Sequence, residues 1–231
     1  MTKKNYDGWE LDSFDDAHNF RKFQIQKIKK YIKKKQILDV GSGTGGLINY
    51  YLKETNKVSA IEPTIKLKKI LETKFKNKIK IYLDKKNLKK KYDTVLYMDV
   101  IEHIKEYNNE ISIIKKYLKK NGYIIINVPA FNFLFTNFDK NVGHIKRFYK
   151  KDIYKLSKSQ NLKIEKIEYY DSIGFFLILI SKFIFNKNLK VSNIRNNINI
   201  WNNLIPVSKF FDKIFFNSIG KSLICVLKKI D

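Results

Sequence analysis

Four glycines, at positions 41, 43, 45 and 46, and two acids, Asp39 and Glu62, form the densest group of chemically useful residues in this chain. They sit in and after the run Ile37-Leu38-Asp39-Val40-Gly41-Ser42-Gly43-Thr44-Gly45-Gly46. Glycines in this order let the backbone turn tightly and approach a ligand where a Cβ would clash. An apolar strand that feeds such a turn and then a helix is the first nucleotide-binding unit of a doubly wound sheet. Gly41, Gly43 and Gly46 also satisfy the dinucleotide fingerprint, with Glu62 where an acid for the ribose hydroxyls belongs. Asp39 separates the two readings. A carboxylate two residues before the turn repels a pyrophosphate and attracts a cation.

S-adenosylmethionine has no phosphate and carries both an ammonium and a sulfonium. The order Leu38-Asp39-Val40-Gly41-Ser42-Gly43-Thr44-Gly45 resembles the first motif of class I S-adenosylmethionine-dependent methyltransferases. That resemblance implies that the amides of residues 41–45 (Gly41, Ser42, Gly43, Thr44, Gly45) and the Asp39 carboxylate hold the methionine end. Glu62 then accepts from both ribose hydroxyls, and Asp84 resembles the acid that accepts from the adenine amino group. The plainer account of Asp84 is a polar strand end.

Tyr92 to Ile104, which includes Met98-Asp99-Val100-Ile101-Glu102-His103, resembles the fourth-strand motif of the subgroup that contains the ubiquinone-biosynthesis O-methyltransferases. The resemblance places Met98 and Asp99 beside the cofactor. If a helix begins near Asp99, then Asp99, Glu102 and His103 share one face at i, i+3 and i+4. Two carboxylates and an imidazole can hold a divalent cation that acidifies a hydroxyl. The favoured alternative is that Asp99 lies near the cofactor while Glu102 and His103 only fix the loop, with no metal.

Methyl transfer to an alcohol needs the acceptor held in line and its proton removed, and histidine is the usual base. The chain has three histidines. His144 lies after the fifth strand, where this fold puts its acceptor pocket, and with His103 it is a candidate catalytic residue. Asp139, His144, Arg147 and Tyr149 resemble a pattern of methyltransferases found with surface-polysaccharide and lipid-linked sugar genes. Pro206, Asp212, Gly220 and the closing Ser222–Val226 resemble the tail of that group. On that reading His144 is the base or a hydrogen-bond donor and Arg147 grips an anionic or sugar group. Equally, Arg147 and Tyr149 could pin the loop against the sheet.

These residues need a sheet to position them. Apolar β-branched runs at about 36–40, 58–62, 79–82, 92–98 and 123–128 alternate with helical patterns at 45–53, 65–74 and 106–119. Further strands are expected at 162–169 and 222–228, and a helix at 151–159. The pattern predicts an α/β fold: a Rossmann-like class I methyltransferase domain with a seven-stranded, mostly parallel sheet covered on both faces. The expected organisation is one domain over 1–231: an N-terminal helical cap (1–35), a core (36–170), an aromatic insertion or lid (171–220) and a last strand (221–231). Residues 130–142 read as an aromatic loop. Within the insertion, Phe175 to Phe185 is strongly apolar but too short to span a bilayer. It is a lid, a core helix or an in-plane membrane contact over 173–185.

The formal net charge is +25. Nearly all of it is lysine, with arginine only at 21, 147 and 195, so a solvated coat explains it better than base and phosphate recognition. A single cysteine, Cys225, excludes a disulfide framework and a multi-cysteine zinc site. Met1 to Tyr6 shows no apolar segment, which implies a cytoplasmic, reducing compartment. The expectation is a methyltransferase acting on a sugar, lipid-linked saccharide or other small hydroxyl acceptor. Three rivals remain. A nucleic-acid methyltransferase lacks its usual Asn/Asp-Pro-Pro-aromatic motif here, and a dehydrogenase is disfavoured by Asp39. A catalytically inert cofactor-binding partner is opposed only by the intact strand-end acids.

Overall fold

A computed structural model describes Gly8, Glu10–Ile184 and Ile194–Ile230. The segment Met1–Tyr6, and Phe185 at the end of the apolar run, lie outside the described residues. Seven strands form one sheet: β1 (Ile37–Val40), β2 (Val58–Ile61), β3 (Lys80–Tyr82), β4 (Tyr92–Met98), β5 (Leu118–Pro129), β6 (Leu162–Tyr170) and β7 (Ser222–Lys229). Their spatial order is β3-β2-β1-β4-β5-β7-β6. The first five are parallel, and β7 runs antiparallel to both β5 and β6. The strand order reverses between β1 and β4, which is where an open α/β sheet binds its ligand.

The helices are α1 (Leu11–Asp15), α2 (His18–Ile32), α3 (Ile48–Leu52), α4 (Ile65–Lys74), α5 (Tyr107–Lys115), α6 (Asn137–Val142), α7 (Lys150–Ser159), α8 (Ser172–Ile184), α9 (Ile194–Asn203) and α10 (Ile205–Ile214). Alternate strand residues face opposite layers. Leu38, Val95, Tyr97, Leu223 and Cys225 pack with Ile111 and Ile114 of α5 and Ile153 of α7. Ile37, Leu96, Met98, Ile224 and Val226 pack with Phe20, Phe23 and Ile28 of α2 and Tyr51 of α3. Burial on both faces explains the continuous apolar runs of the central strands.

Several expectations need correction. The helix expected over 106–119 ends at Lys115, and Leu118 instead opens β5, paired with Tyr92. Its buried, apolar side chain serves either element, so helical spacing could not distinguish them. The loop expected over 130–142 contains α6, started by a capping box in which Thr136 and Asp139 exchange hydrogen bonds. No helix begins at Asp99: that residue has φ 61° and only a short 3₁₀ turn, Ile101–His103, follows. Asp99, Glu102 and His103 therefore do not share a helical face.

Three non-glycine residues with positive φ stand directly after or near the ends of neighbouring strands: Asp99 (61°), Phe131 (61°) and Asp171 (66°). Such strain collects where structure is held for a purpose. Among the described residues between β6 and β7 the chain forms α8, α9 and α10. Asp171 ties these helices to the sheet: the carboxylate accepts from Trp201 Nε1 (2.8 Å), Ser208 Oγ (3.0 Å) and the Gly174 amide (3.0 Å).

Candidate active site

The turn after β1 is held by the protein's own groups. Gly41, Gly43 and Gly45 have φ of 73°, 56° and 83°. A Cβ on Gly41 would approach Val100 Cγ2 to 2.8 Å, so this close pass of the turn against the β4 end needs glycine. The Gly41 and Ser42 amides donate to Ile61 O (2.8 and 3.2 Å), the Gly43 amide to Glu62 Oε2 (2.8 Å) and the Gly45 amide to Ser42 O (2.9 Å). These amides were expected to hold the ligand. Here these four donate to the protein's own acceptors and hold the turn, as buried backbone donors must be satisfied.

Glu62 is buried and accepts from the Gly43 and Thr64 amides, one on each oxygen, at 2.8 Å. An ionised carboxylate has about four acceptor positions, so room for two further donors remains. Burial pushes its pKa up despite those two bonds. Asp39 is also buried, and burial, together with the Glu62 charge, pushes it up to about 7. Two buried acids beside one turn form a place where a positive group would be stabilised.

Arg21, on α2, was not singled out from the sequence as a site residue. It is buried, its Nη2 lies 3.6 Å from Asp15 Oδ1, and its Nε has no hydrogen-bond partner. Asp15 in turn accepts from Thr44 Oγ1 (2.6 Å), so α1 and α2 both reach the glycine turn. The clue available in the sequence was an arginine inside an otherwise apolar helix face in a chain whose cations are almost all lysine. Asp84 is exposed and accepts from the Lys86 amide (2.8 Å), closing a 3₁₀ turn. Met98 is buried at the end of β4. Exposed Asp99 accepts from Asn127 Nδ2 (2.7 Å), and Asn127 accepts from Tyr170 Oη (2.7 Å), which links the ends of β4, β5 and β6.

At the β5 end, Asp139 is fully buried and collects three partners. Arg147 donates bidentately (Nε 3.0 Å, Nη2 2.9 Å), His144 Nδ1 lies at 2.7 Å, and the Thr136 amide donates at 2.8 Å. Burial alone would raise this carboxyl. The His144 hydrogen bond and the Arg147 guanidinium outweigh it and hold Asp139 well below the usual carboxylate range. A buried bidentate pair fixes the Arg147 fork to Asp139, which supports the alternative in which it pins the loop.

His144 is oriented by Asp139 through Nδ1, which leaves Nε2 as the basic atom, 3.8 Å from Glu102 Oε1. His103 Nδ1 bonds Gly143 O (3.2 Å), and the two imidazoles meet edge to face at 4.8 Å. One donor atom each from Glu102, His103 and His144 lies within 4.8 Å of the others. The cluster that could hold a cation therefore contains His144 in place of the expected Asp99, which turns toward Asn127. Glu102 is fully enclosed and neither of its oxygens has a hydrogen-bond partner; burial drives its pKa well up, and the Asp99 charge adds to this.

Residues 17–167 match the family model of a methyltransferase domain. The chain belongs to that family. It is an S-adenosylmethionine-dependent methyltransferase. Two curated relatives, both named ubiquinone biosynthesis O-methyltransferase, are 29% identical to it. The Rickettsia typhi protein aligns over 72% of this chain and 78% of its own length. The match to the Pelagibacter ubique protein covers 49% of this chain and about half (55%) of that protein. Among solved structures, a SAM-dependent methyltransferase from Archaeoglobus fulgidus superposes with TM-score 0.63 at 17% identity, over 92% of this chain and 94% of that one. The Haemonchus contortus phosphoethanolamine N-methyltransferase 2 complex with S-adenosyl-L-methionine gives 0.62 at 15% identity, over 100% of this chain and 61% of that one. At those identities they share the fold of this methyltransferase.

Proposed function

We propose that this methyltransferase O-methylates a sugar, a lipid-linked saccharide or another small hydroxyl acceptor. The observation that carries the reading is the Asp139–His144 pair, 2.7 Å apart, which leaves the imidazole Nε2 as the proton acceptor at the β5 end. S-adenosylmethionine supplies an already activated methyl when bound, so the protein's part is binding, orientation and proton removal.

On this reading the cofactor residues are those around the β1 turn. Glu62 takes the ribose hydroxyls with its two remaining acceptor positions. Asp39 faces the positive charges of the methionine end, and Arg21 takes its carboxylate with the donor that has no partner in the protein. Gly41, Ser42, Gly43, Thr44 and Gly45 shape the floor, while Met98 and Asp99 border it from β4. His144 draws the proton from the acceptor hydroxyl, with Asp139 holding its tautomer and Arg147 holding Asp139. His103, bonded to Gly143 O, steadies the loop. The two relatives' names agree with an oxygen acceptor.

A divalent cation at Glu102, His103 and His144 is the second reading, favoured by the Glu102 oxygens that are buried without partners. There the cation would acidify the hydroxyl directly.

The test is label transfer from methyl-labelled S-adenosylmethionine into a cell lysate, counted separately in lipid, glycan, nucleic-acid and small-molecule fractions, with Glu62→Ala as control. Label in the lipid, glycan or small-molecule fraction, lost in the control, is expected. Label in nucleic acid overturns the acceptor class, and cofactor binding without transfer overturns the enzyme's proposed reaction. A parallel assay with EDTA separates the two mechanisms, since a His144 base is indifferent to chelation.

A further inference from the structure

Beyond the buried Ile205, helix α10 turns polar residues inward and apolar residues outward. Its inward face is polar: Ser208 Oγ donates to Asp171 Oδ1 (3.0 Å) and accepts from the Ile173 amide (3.1 Å). Asp212, buried on the same face, accepts from the amides of Asp171 (2.9 Å) and Ser172 (2.8 Å). The outward face carries Val207, Phe210 and Ile214, of which Phe210 is 62% and Ile214 49% exposed. Phe216, just beyond the helix, is 87% exposed.

This face is continuous with α8. Ring contacts run from Phe210 to Phe211 (5.6 Å), to Phe215 (6.0 Å), and on to Phe176 of α8 (6.2 Å). Leu177 and Ile180 of α8 are exposed on the same helix. Single exposed apolar residues are ordinary, but a patch spread over two packed helices marks a contact surface. No described helix is long and apolar enough to cross a membrane.

Charge identifies the occupant. Between Ser172 and Gly220 the sequence has one carboxylate, Asp212, and it is buried. Lys182 and Lys213 are exposed on the two helices that carry the patch. A second copy of this chain would bring the same lysines face to face and a second net charge of +25. An anionic bilayer offers both an apolar layer and negative charge. We infer that α8 and α10 form a docking surface for an anionic lipid bilayer, with Phe210, Ile214 and Phe216 entering the headgroup layer in plane. This surface does not depend on which acceptor is methylated, because its test reads binding.

The experiment is co-sedimentation of the full chain with vesicles of phosphatidylcholine alone or with phosphatidylglycerol added. Binding to the phosphatidylglycerol vesicles is expected, weakening as salt is raised. The F210E/I214E variant should bind about tenfold less or worse. Each of K182E and K213E should lose about fivefold. Both sets lie on the surface, and unchanged S-adenosylmethionine affinity checks that they fold. Equal sedimentation of wild type and F210E/I214E overturns the inference, as does failure of the wild type to bind. A dimer that F210E/I214E renders monomeric, with no vesicle binding, also overturns it and assigns the face to a second copy.

Discussion

Around β1 and β2 the carboxylates of Asp39 and Glu62 are buried, and burial raises both despite nearby Arg21 and the Gly43 and Thr64 amides. Around β5 the carboxylate of Asp139 is buried just as deeply, yet His144 and Arg147 hold it below the ordinary range. Shifts of opposite direction describe two kinds of construction. At the first end burial outweighs the one nearby guanidinium, Arg21, whereas at the second Asp139 is paired by His144 and Arg147 within the protein. Preorganised polar groups that cost little to reorganise suit an end where proton transfer occurs.

The largest effect should come from removing the compensation. Asp139→Ala leaves the Arg147 guanidinium buried without its partner, which typically costs about 3–5 kcal/mol. Urea unfolding at neutral pH measures it. Because the folded pKa of Asp139 is depressed, its contribution is present above about pH 4, the unfolded carboxyl value, and fades as pH falls through the folded value. The gap between wild type and variant should therefore narrow in acid. An unchanged midpoint would show that the β5 end is not self-compensated.

His144→Asn tests the same end through chemistry. Asparagine can still meet Asp139 but carries no titrating base, so kcat should fall about hundred- to thousandfold. S-adenosylmethionine affinity should stay within twofold or so of wild type, since the two ends are built separately. A parallel loss of cofactor affinity would erase the distinction between them.

Glu62→Gln should show the complementary pattern. One of two acceptor oxygens becomes a donor, and cofactor affinity should drop about tenfold or more, the worth of one charge-assisted hydrogen bond. Stability should also fall, though less than in Asp139→Ala, because the Gly43 or Thr64 amide loses its buried acceptor, at about 1–3 kcal/mol. Calorimetric titration and urea unfolding on one preparation give both numbers.

What could be read in the chain follows the same division. The turn at 41–46 is consecutive in sequence, each acid near it ends a strand, and β1, β2 and β4 are buried on both faces. Apolar runs and glycine order therefore located them within a residue or two. The β5 end is assembled from Glu102, His103, Asp139, His144 and Arg147, and nothing in their spacing says that Arg147 turns inward to Asp139. Asp99 misled because the motif reads helical, whereas the chain takes a left-handed step there and directs the side chain to Asn127. The loop amides are hard to read for another reason. A ligand and the protein compete for the same donors, and only coordinates show that Ile61 and Glu62 hold them. In α10 Ile205 points inward while Val207, Phe210 and Ile214 are exposed, so periodicity alone does not orient the helix.

The smallest effect, and the most specific to the β1 end, concerns pH. Asp39 stands at about 7 in the free protein because burial disfavours its charged form. A positive group bound beside it favours the carboxylate, so binding below pH 7 must expel a proton. Affinity for S-adenosylmethionine should then decline by up to about tenfold per pH unit on going below 7, and level off above it, as linkage requires for one proton. Calorimetry in two buffers of different ionisation enthalpy at pH 6 should detect the released proton directly. Asp39→Asn should bind more weakly at pH 8, show no such slope, and release nothing. If the slope survives in Asp39→Asn, the proton belongs to another group, and Glu62, whose shift has the same sign, becomes the residue to titrate next.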